Sequence, residues 1–251
     1  MSFCEHCVSG VRHEGTPEGK LEAIGGVECY VATPSVDYPK DKVVLILPDV
    51  FGHVLINTQL LADDFARNGF KTIIPDNCNG DPAPADGLSP GNTTGFDLGE
   101  WFAKHGADKA RPPIDAVIAA LKDQGVTRFG VNGYCWGARY CFDLAFENVV
   151  HVVASSHPSL IQPDDLKKYA ETSKAPLLIN SCEVDPQFPK EKQELADELF
   201  GNGKFAPGYE RTYWDGCTHG FAVRGDISNP KVKVGKEGAF KATVEHFLKY
   251  L

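Results

Sequence analysis

The chain has 251 residues, 42% hydrophobic and 24% charged, which suits one α/β domain spanning residues 1–251 around a substantial core. Its 34 acidic against 25 basic side chains leave a net charge of −9, which argues against nucleic acid and anionic membrane surfaces as partners. No apolar run approaches the roughly 20 residues of a spanning helix, and the amino terminus, Met1-Ser2-Phe3-Cys4-Glu5-His6-Cys7, is neither basic nor apolar, so a cytoplasmic protein is expected.

The opening segment is polar and turn-rich and should wrap the surface. Lys20 to Thr33 reads as two short strands turned near Gly25-Gly26. Val43-Val44-Leu45-Ile46-Leu47 is an unbroken apolar run, the pattern of a strand buried on both faces. A helix follows on Leu60, Leu61, Phe65 and Ala66, closed by Asn68-Gly69, and Phe70 to Ile74 is the next strand. From Asp76 to about Gly95 the chain is rich in Gly, Pro, Asp and Asn without any period, which marks a functional loop or lid. Helical patterns return at Phe96–Lys104 and Asp108–Gln124. Strand 127–132 leads to a helix from about Trp136 to Glu147, and Val149–Ala154 and Leu177–Ser181 are further buried strands around a helix near Pro163–Ser173. A helix near Glu191–Phe200, a strand near Tyr209–Trp214 and a last helix, Lys236–Tyr250, complete the series. Strands alternating with helices point to a mostly parallel sheet covered on both faces.

The eight cysteines do not read as a disulfide framework, since Cys29, Cys141 and Cys182 lie inside apolar or helical patterns as small hydrophobes. Cys4, His6 and Cys7, with Cys29 or His13, offer a conceivable zinc set. A lone Cys-x-x-Cys without a second pair favours reduced surface thiols instead, so no metal and no cofactor are predicted.

The chemistry concentrates at Gly133-Tyr134-Cys135-Trp136-Gly137, directly after strand 127–132. Gly-x-nucleophile-x-Gly is the form of a nucleophile elbow, a strained strand-to-helix turn in which side chains two positions either side would strike neighbouring backbone. The helix amino end behind it favours negative charge, on a thiolate or on a developing oxyanion. A cysteine nucleophile also needs a base and a group to orient that base. In α/β-hydrolase architecture these follow as acid, then histidine. Asp185 lies just past strand Leu177–Ser181 with Glu183 as its rival, and His219 lies just past strand Tyr209–Trp214.

Leu47-Pro48-Asp49-Val50-Phe51-Gly52, Pro75-Asp76, the elbow, Asp185 and His219-Gly220-Phe221 together resemble the dienelactone hydrolase family, with Asp185-Pro186-Gln187-Phe188-Pro189 most similar to its eukaryotic and fungal members. The resemblance implies a single-domain α/β-hydrolase fold with a Cys135-Asp185-His219 triad that opens lactones or cleaves small activated esters through a thioester. The family includes carboxymethylenebutenolidase, whose lactone bears a carboxylate. The resemblance further implies an oxyanion hole from the N–H groups of Val50 and Trp136, each typically worth ~3 kcal/mol. Asp49 stands for an acid that contacts the resting cysteine and yields when substrate enters; the alternative is that it merely caps the following helix. Arg224 matches an arginine that grips the substrate carboxylate, and Phe51, Phe188 and Trp136 match apolar pocket walls. The family's second binding arginine has no counterpart in the loop 76–100, which contains none, and Arg111 is only a distant candidate. A small-molecule lactone or ester is the expected partner, with the protein a monomer or homodimer. The rival readings are a thiol redox sensor, since an accessible low-pKa cysteine is also what peroxide oxidises, and a non-catalytic binding member of the fold.

Overall fold

The computed structural model describes residues 11–88 and 95–251, so Cys4, His6 and Cys7 lie outside the described residues. Strands β1 (Lys20–Ile24) and β2 (Val27–Ala32) form a hairpin over Gly25 and Gly26, both at positive φ. There follow β3 (Lys42–Leu47), α1 (Ile56–Arg67), β4 (Thr72–Pro75), α2 (Leu98–Lys104), α3 (Ala107–Asp123) and β5 (Arg128–Tyr134). The remainder is α4 (Gly137–Phe146), β6 (Val152–Ser156), α5 (Pro163–Thr172), β7 (Leu177–Val184), α6 (Lys190–Phe200), β8 (Tyr209–Thr218), α7 (Phe221–Arg224) and α8 (Pro230–Tyr250).

The strands form one eight-stranded sheet in the order β1-β2-β4-β3-β5-β6-β7-β8. The β1–β2 and β2–β4 pairs are antiparallel and the rest parallel. Alternate residues of each central strand enter opposite layers. Val43, Leu45 and Leu47 pack with Val117, Phe142 and Tyr169, whereas Val44 and Ile46 pack with Phe65, Phe240 and Phe247. This two-sided burial is what the unbroken apolar run demanded. Among the described residues no helix is long and apolar enough to cross a membrane.

Several boundaries depart from the sequence expectation; β7 runs on to Val184 and β8 to Thr218, past the expected Ser181 and Trp214. α8 starts at Pro230 rather than Lys236, because Asn229 Oδ1 accepts the Lys231 N–H at 3.0 Å and Pro230 occupies the first helical position, where a missing N–H costs nothing. β6 starts at Val152 rather than Val149: Asn148 turns left-handed (φ 54°) and the Val149 N–H returns to Leu144 O at 3.0 Å, so this stretch closes α4 instead. The short helix α7 follows His219-Gly220 where no element was expected.

The irregular segment after β4 is held from several sides. Asp76 accepts the N–H groups of Cys78 and Gly80, Trp101 Nε1 donates to Asp81 O, and the Ala83 N–H donates to Val50 O at 2.8 Å. Asn79 Nδ2 donates to Lys109 O at 3.1 Å. That carbonyl has no helical donor, since position 113 of α3 is proline.

Candidate active site

The elbow joins β5 to α4, and Cys135 sits at its tip with φ 50° and 9% exposure. A non-glycine residue held there costs on the order of 1–3 kcal/mol, which the surroundings must over-determine. They do so by close packing. A Cβ on Gly137 would lie 2.0 Å from Leu47 O, and one on Gly133 would lie 2.6 Å from Ala138 Cα. The absence of side chains at these two positions therefore lets α4 approach β3 and β5. The Cys135 N–H is fixed to Ser156 O at 3.2 Å.

Acid and base arrive from the next strands along the sheet. Asp185, 5% exposed, stands just beyond β7, where its Oδ1 accepts the Gln187 N–H (2.9 Å), the Phe188 N–H (3.2 Å) and His219 Nδ1 (2.8 Å). The loop's own amides thus aim the carboxylate. His219 follows β8, and its backbone N–H donates to Val184 O at 3.0 Å, so each loop positions the other. Glu183 points elsewhere and accepts the Gly216 N–H at 2.7 Å. With Nδ1 donating to a carboxylate, Nε2 of the neutral imidazole is an acceptor facing the elbow. Burial alone would push the His219 imidazole down; the Asp185 hydrogen bond and the Cys135 sulfur outweigh it and lift it to about 10.

Asp49 is fully buried just beyond β3. Its Oδ1 accepts the Phe51 N–H (3.1 Å) and its Oδ2 accepts Arg224 Nε (3.0 Å), so the carboxylate is engaged by α7 rather than by the thiol. Burial pushes the Asp49 carboxyl above its ordinary value, with Arg224 and the Phe51 N–H opposing. Arg224 lies over the Phe51 ring, 4.5 Å from its centroid, with 29% of its side chain exposed. Among the described residues the N–H groups of Val50 and Trp136 have no acceptor. Trp136 is buried edge-on to Trp101 at 4.9 Å. Phe188 has no exposed surface, and what it gives the site directly is its N–H on Asp185. Arg111 is held by Asp115 on α3 and by Glu147, which caps the end of α4.

Two residues to which the sequence reading gives no role stand in the middle of the site; His157 is set aside in that reading because it precedes the acid in the chain. Ser159, 2% exposed, has its Oγ 3.3 Å from Cys135 Sγ and 3.4 Å from His219 Nε2. His157 is fully buried, its ring 5.0 Å from that of His219, with neither nitrogen hydrogen-bonded. Burial, with His219 and Arg224 nearby, pushes it well below its ordinary value, so it stays a neutral wall beside the base. Both follow β6, whose carboxyl end lies between those of β5 and β7. The strand pattern alone could have pointed there.

Comparison with known proteins agrees with this architecture. The family model described as "Dienelactone hydrolase family" matches residues 27–251. "Hydrolase pyvD" of Aspergillus violaceofuscus is 32% identical over 250 residues, covering 98% of this chain and 96% of that protein. "Dienlactone hydrolase 1" of Gibberella moniliformis is 32% identical over 243 residues, covering 95% and 90% respectively. Among solved structures, a dienelactone hydrolase-like promiscuous phosphotriesterase from metagenomic libraries superposes with a TM-score of 0.62 at 16% identity, covering 92% of this chain and 97% of that one, which speaks to the fold alone. With its sheet order, its elbow and a match over nearly the whole chain, the protein belongs to the dienelactone hydrolase family of ester and lactone hydrolases.

Proposed function

We propose that the protein hydrolyses small lactones or activated esters by acyl transfer through Cys135, with His219 as base and Asp185 as its orienting acid. The observation that carries this is the alignment at one sheet edge. A strained cysteine at a helix start faces Nε2 of a histidine whose Nδ1 is fixed at 2.8 Å on a buried aspartate. Once the thiol proton has moved to His219, Sγ attacks the carbonyl carbon. The oxygen takes up the charge and the amides of Val50 and Trp136 receive it, a role suited to N–H groups that have no other acceptor. Collapse expels the alkoxide, which takes the proton from His219 and leaves a thioester. His219 then draws a proton from water, hydroxide adds to the thioester, and the thiolate departs. A thiolate is a better leaving group than an amide nitrogen, so an amide adduct would revert, whereas an ester or lactone goes forward.

Arg224 marks where a substrate carboxylate would dock, at the price of displacing Asp49. Asp49 would then be freed toward the sulfur, the switching role its family position suggests. The loop 76–100 has no second arginine, so one guanidinium supports a substrate bearing a single carboxylate or none.

The test is hydrolysis of p-nitrophenyl acetate and a panel of lactones, with and without a carboxylate, by wild type and Cys135→Ala in reducing buffer. Activity should fall about 10³-fold or more with loss of the thiol. Hydrolysis that persists in Cys135→Ala would exclude the thiol as nucleophile.

A further inference from the structure

Among the described residues Ser159 is the one hydroxyl hydrogen-bonded to both proposed reacting partners, with Cys135 Sγ at 3.3 Å and His219 Nε2 at 3.4 Å. Its placement is built rather than incidental. The Ser159 N–H donates to Cys135 O at 3.0 Å, which ties the residue to the elbow backbone. His157 and Leu160 on either side of Pro158-Ser159 are both left-handed, with φ 41° and 61°. Leucine does not favour that conformation, and strain of this kind gathers where a side chain must be held for function. Arg139 Nη1 further holds Leu160 O at 3.4 Å. The hydroxyl is 2% exposed, so bulk water does not compete for it.

Hydrogen-bond direction follows the charge on the pair. In the uncharged form Nδ1 donates to Asp185, Nε2 accepts the Ser159 O–H, and the Cys135 S–H donates to Ser159 Oγ. In the charged form, favoured by the raised His219 value, Nε2–H donates to Ser159 Oγ and its O–H to the thiolate. The chain S–H···O–H···N offers a proton path beside the direct Cys135–His219 hydrogen bond that also raises the imidazole. Resting on the thiol reading above, we propose that Ser159 is a further catalytic residue, whose hydroxyl relays the thiol proton to His219 and then donates to the thiolate. In that step the S–H bond breaks as a new Ser159 O–H forms, while the original Ser159 proton passes to Nε2. The serine ends unchanged, and the products are thiolate and imidazolium. The charged and titratable groups around this chain are Asp49 and Arg224 beside it, Asp185 behind the imidazole and His157 against it. Ser159→Ala leaves all four in place.

Three readouts on Ser159→Ala and Ser159→Thr, with matched melting temperatures as the check on folding, test the relay. Thiolate absorbance near 240 nm, taken as the difference from Cys135→Ala across pH, should move at least one pH unit higher in Ser159→Ala. The kcat/KM for p-nitrophenyl acetate should fall by about 10- to 100-fold with KM within twofold, and Ser159→Thr should recover much of it. Rates of acylation in mixtures of H2O and D2O should change from a curved to a linear dependence once one of two moving protons is removed. A folded Ser159→Ala with an unchanged thiolate titration, or one whose activity falls with the isotope curve unaltered and no recovery in Ser159→Thr, overturns the relay. Activity that survives Cys135→Ala sinks the thiol reading itself. Thiol-dependent activity indifferent to Ser159 sinks only the relay, and the titration decides the matter even where no tested ester is turned over.

Discussion

At the scale of single residues, the site depends on what is missing as much as on what is present. The 2.0 Å approach of a hypothetical Gly137 Cβ to Leu47 O leaves no flexible atom to give way, since the obstacle is backbone of the central strand. Gly137→Ala should therefore lower stability by about 3 kcal/mol, read as the shift of a urea unfolding midpoint at constant slope. A loss below about 1 kcal/mol would mean that α4 can slide, and the close-approach argument would be wrong. Residues of this kind were legible in the sequence because glycine spacing around a strand end has a single physical reading. The strand-end placement of Cys135, Asp185 and His219 was legible for a related reason, since each follows a strand whose pattern shows where the sheet edge lies. Ser159 was not. Its placement rests on the left-handed turns at His157 and Leu160, and no glycine in the segment announces them.

At the scale of elements, the aperiodic loop after β4 is joined to α3 by a bond that the sequence hides. Pro113 withholds the amide that would have closed on Lys109 O, and Asn79, itself at φ 54°, supplies the donor from the loop. A proline that looks like a helix breaker has become a docking point for the wall of the site. Asn79→Ala should cost about 0.5–1 kcal/mol, the modest value reflecting a carbonyl that water can reach. Its clearer sign should be faster amide exchange confined to residues 77–83, measured by mass spectrometry; uniform exchange across the chain would count against a local tie. The helix starts show the same limit on reading. Asn229-Pro230 is a sound start signal for α8, yet the glycine and lysines that follow it conceal the amphipathic stripe until Ala239 and Phe240. α7 is a single turn and carries no periodicity to detect.

For the molecule as a whole, buried histidines set opposing limits on stability. Burial pushes His157 well below its ordinary value and His246 down to about 4, while His219 is lifted to about 10. Below pH 6.5 the unfolded chain takes up protons that native His157 and His246 refuse, so stability is lost as the pH falls toward 4. For His219 the sign reverses: its contribution is complete below pH 6.5 and fades as the pH rises through about 10. The histidine contribution should therefore peak near neutrality. Urea midpoints from pH 4 to 10 should trace that dome, His246→Leu should flatten the acid limb, and His219→Gln should flatten the alkaline one. Limbs that keep their slope in these variants would assign the pH dependence to other groups. The layered fold itself was legible, because β3, β5, β6 and β7 are apolar on both faces and only a sheet covered on both sides accepts that.

The order of the strands also gives the site a history. Cys135 belongs to the central part of the sheet, whereas His219 hangs from β8, which leaves the ribosome after β1–β7 and among the described strands pairs with β7 alone. More than eighty residues separate Cys135 from His219, the proposed nucleophile and base. At a synthesis rate of about 5–20 residues per second, the thiol emerges on the order of 4–17 s before the imidazole that would activate it. Under the proposed triad the nascent chain would be catalytically mute until β8 docks, and a protein truncated before β8 would carry a thiol with no His219 to take its proton.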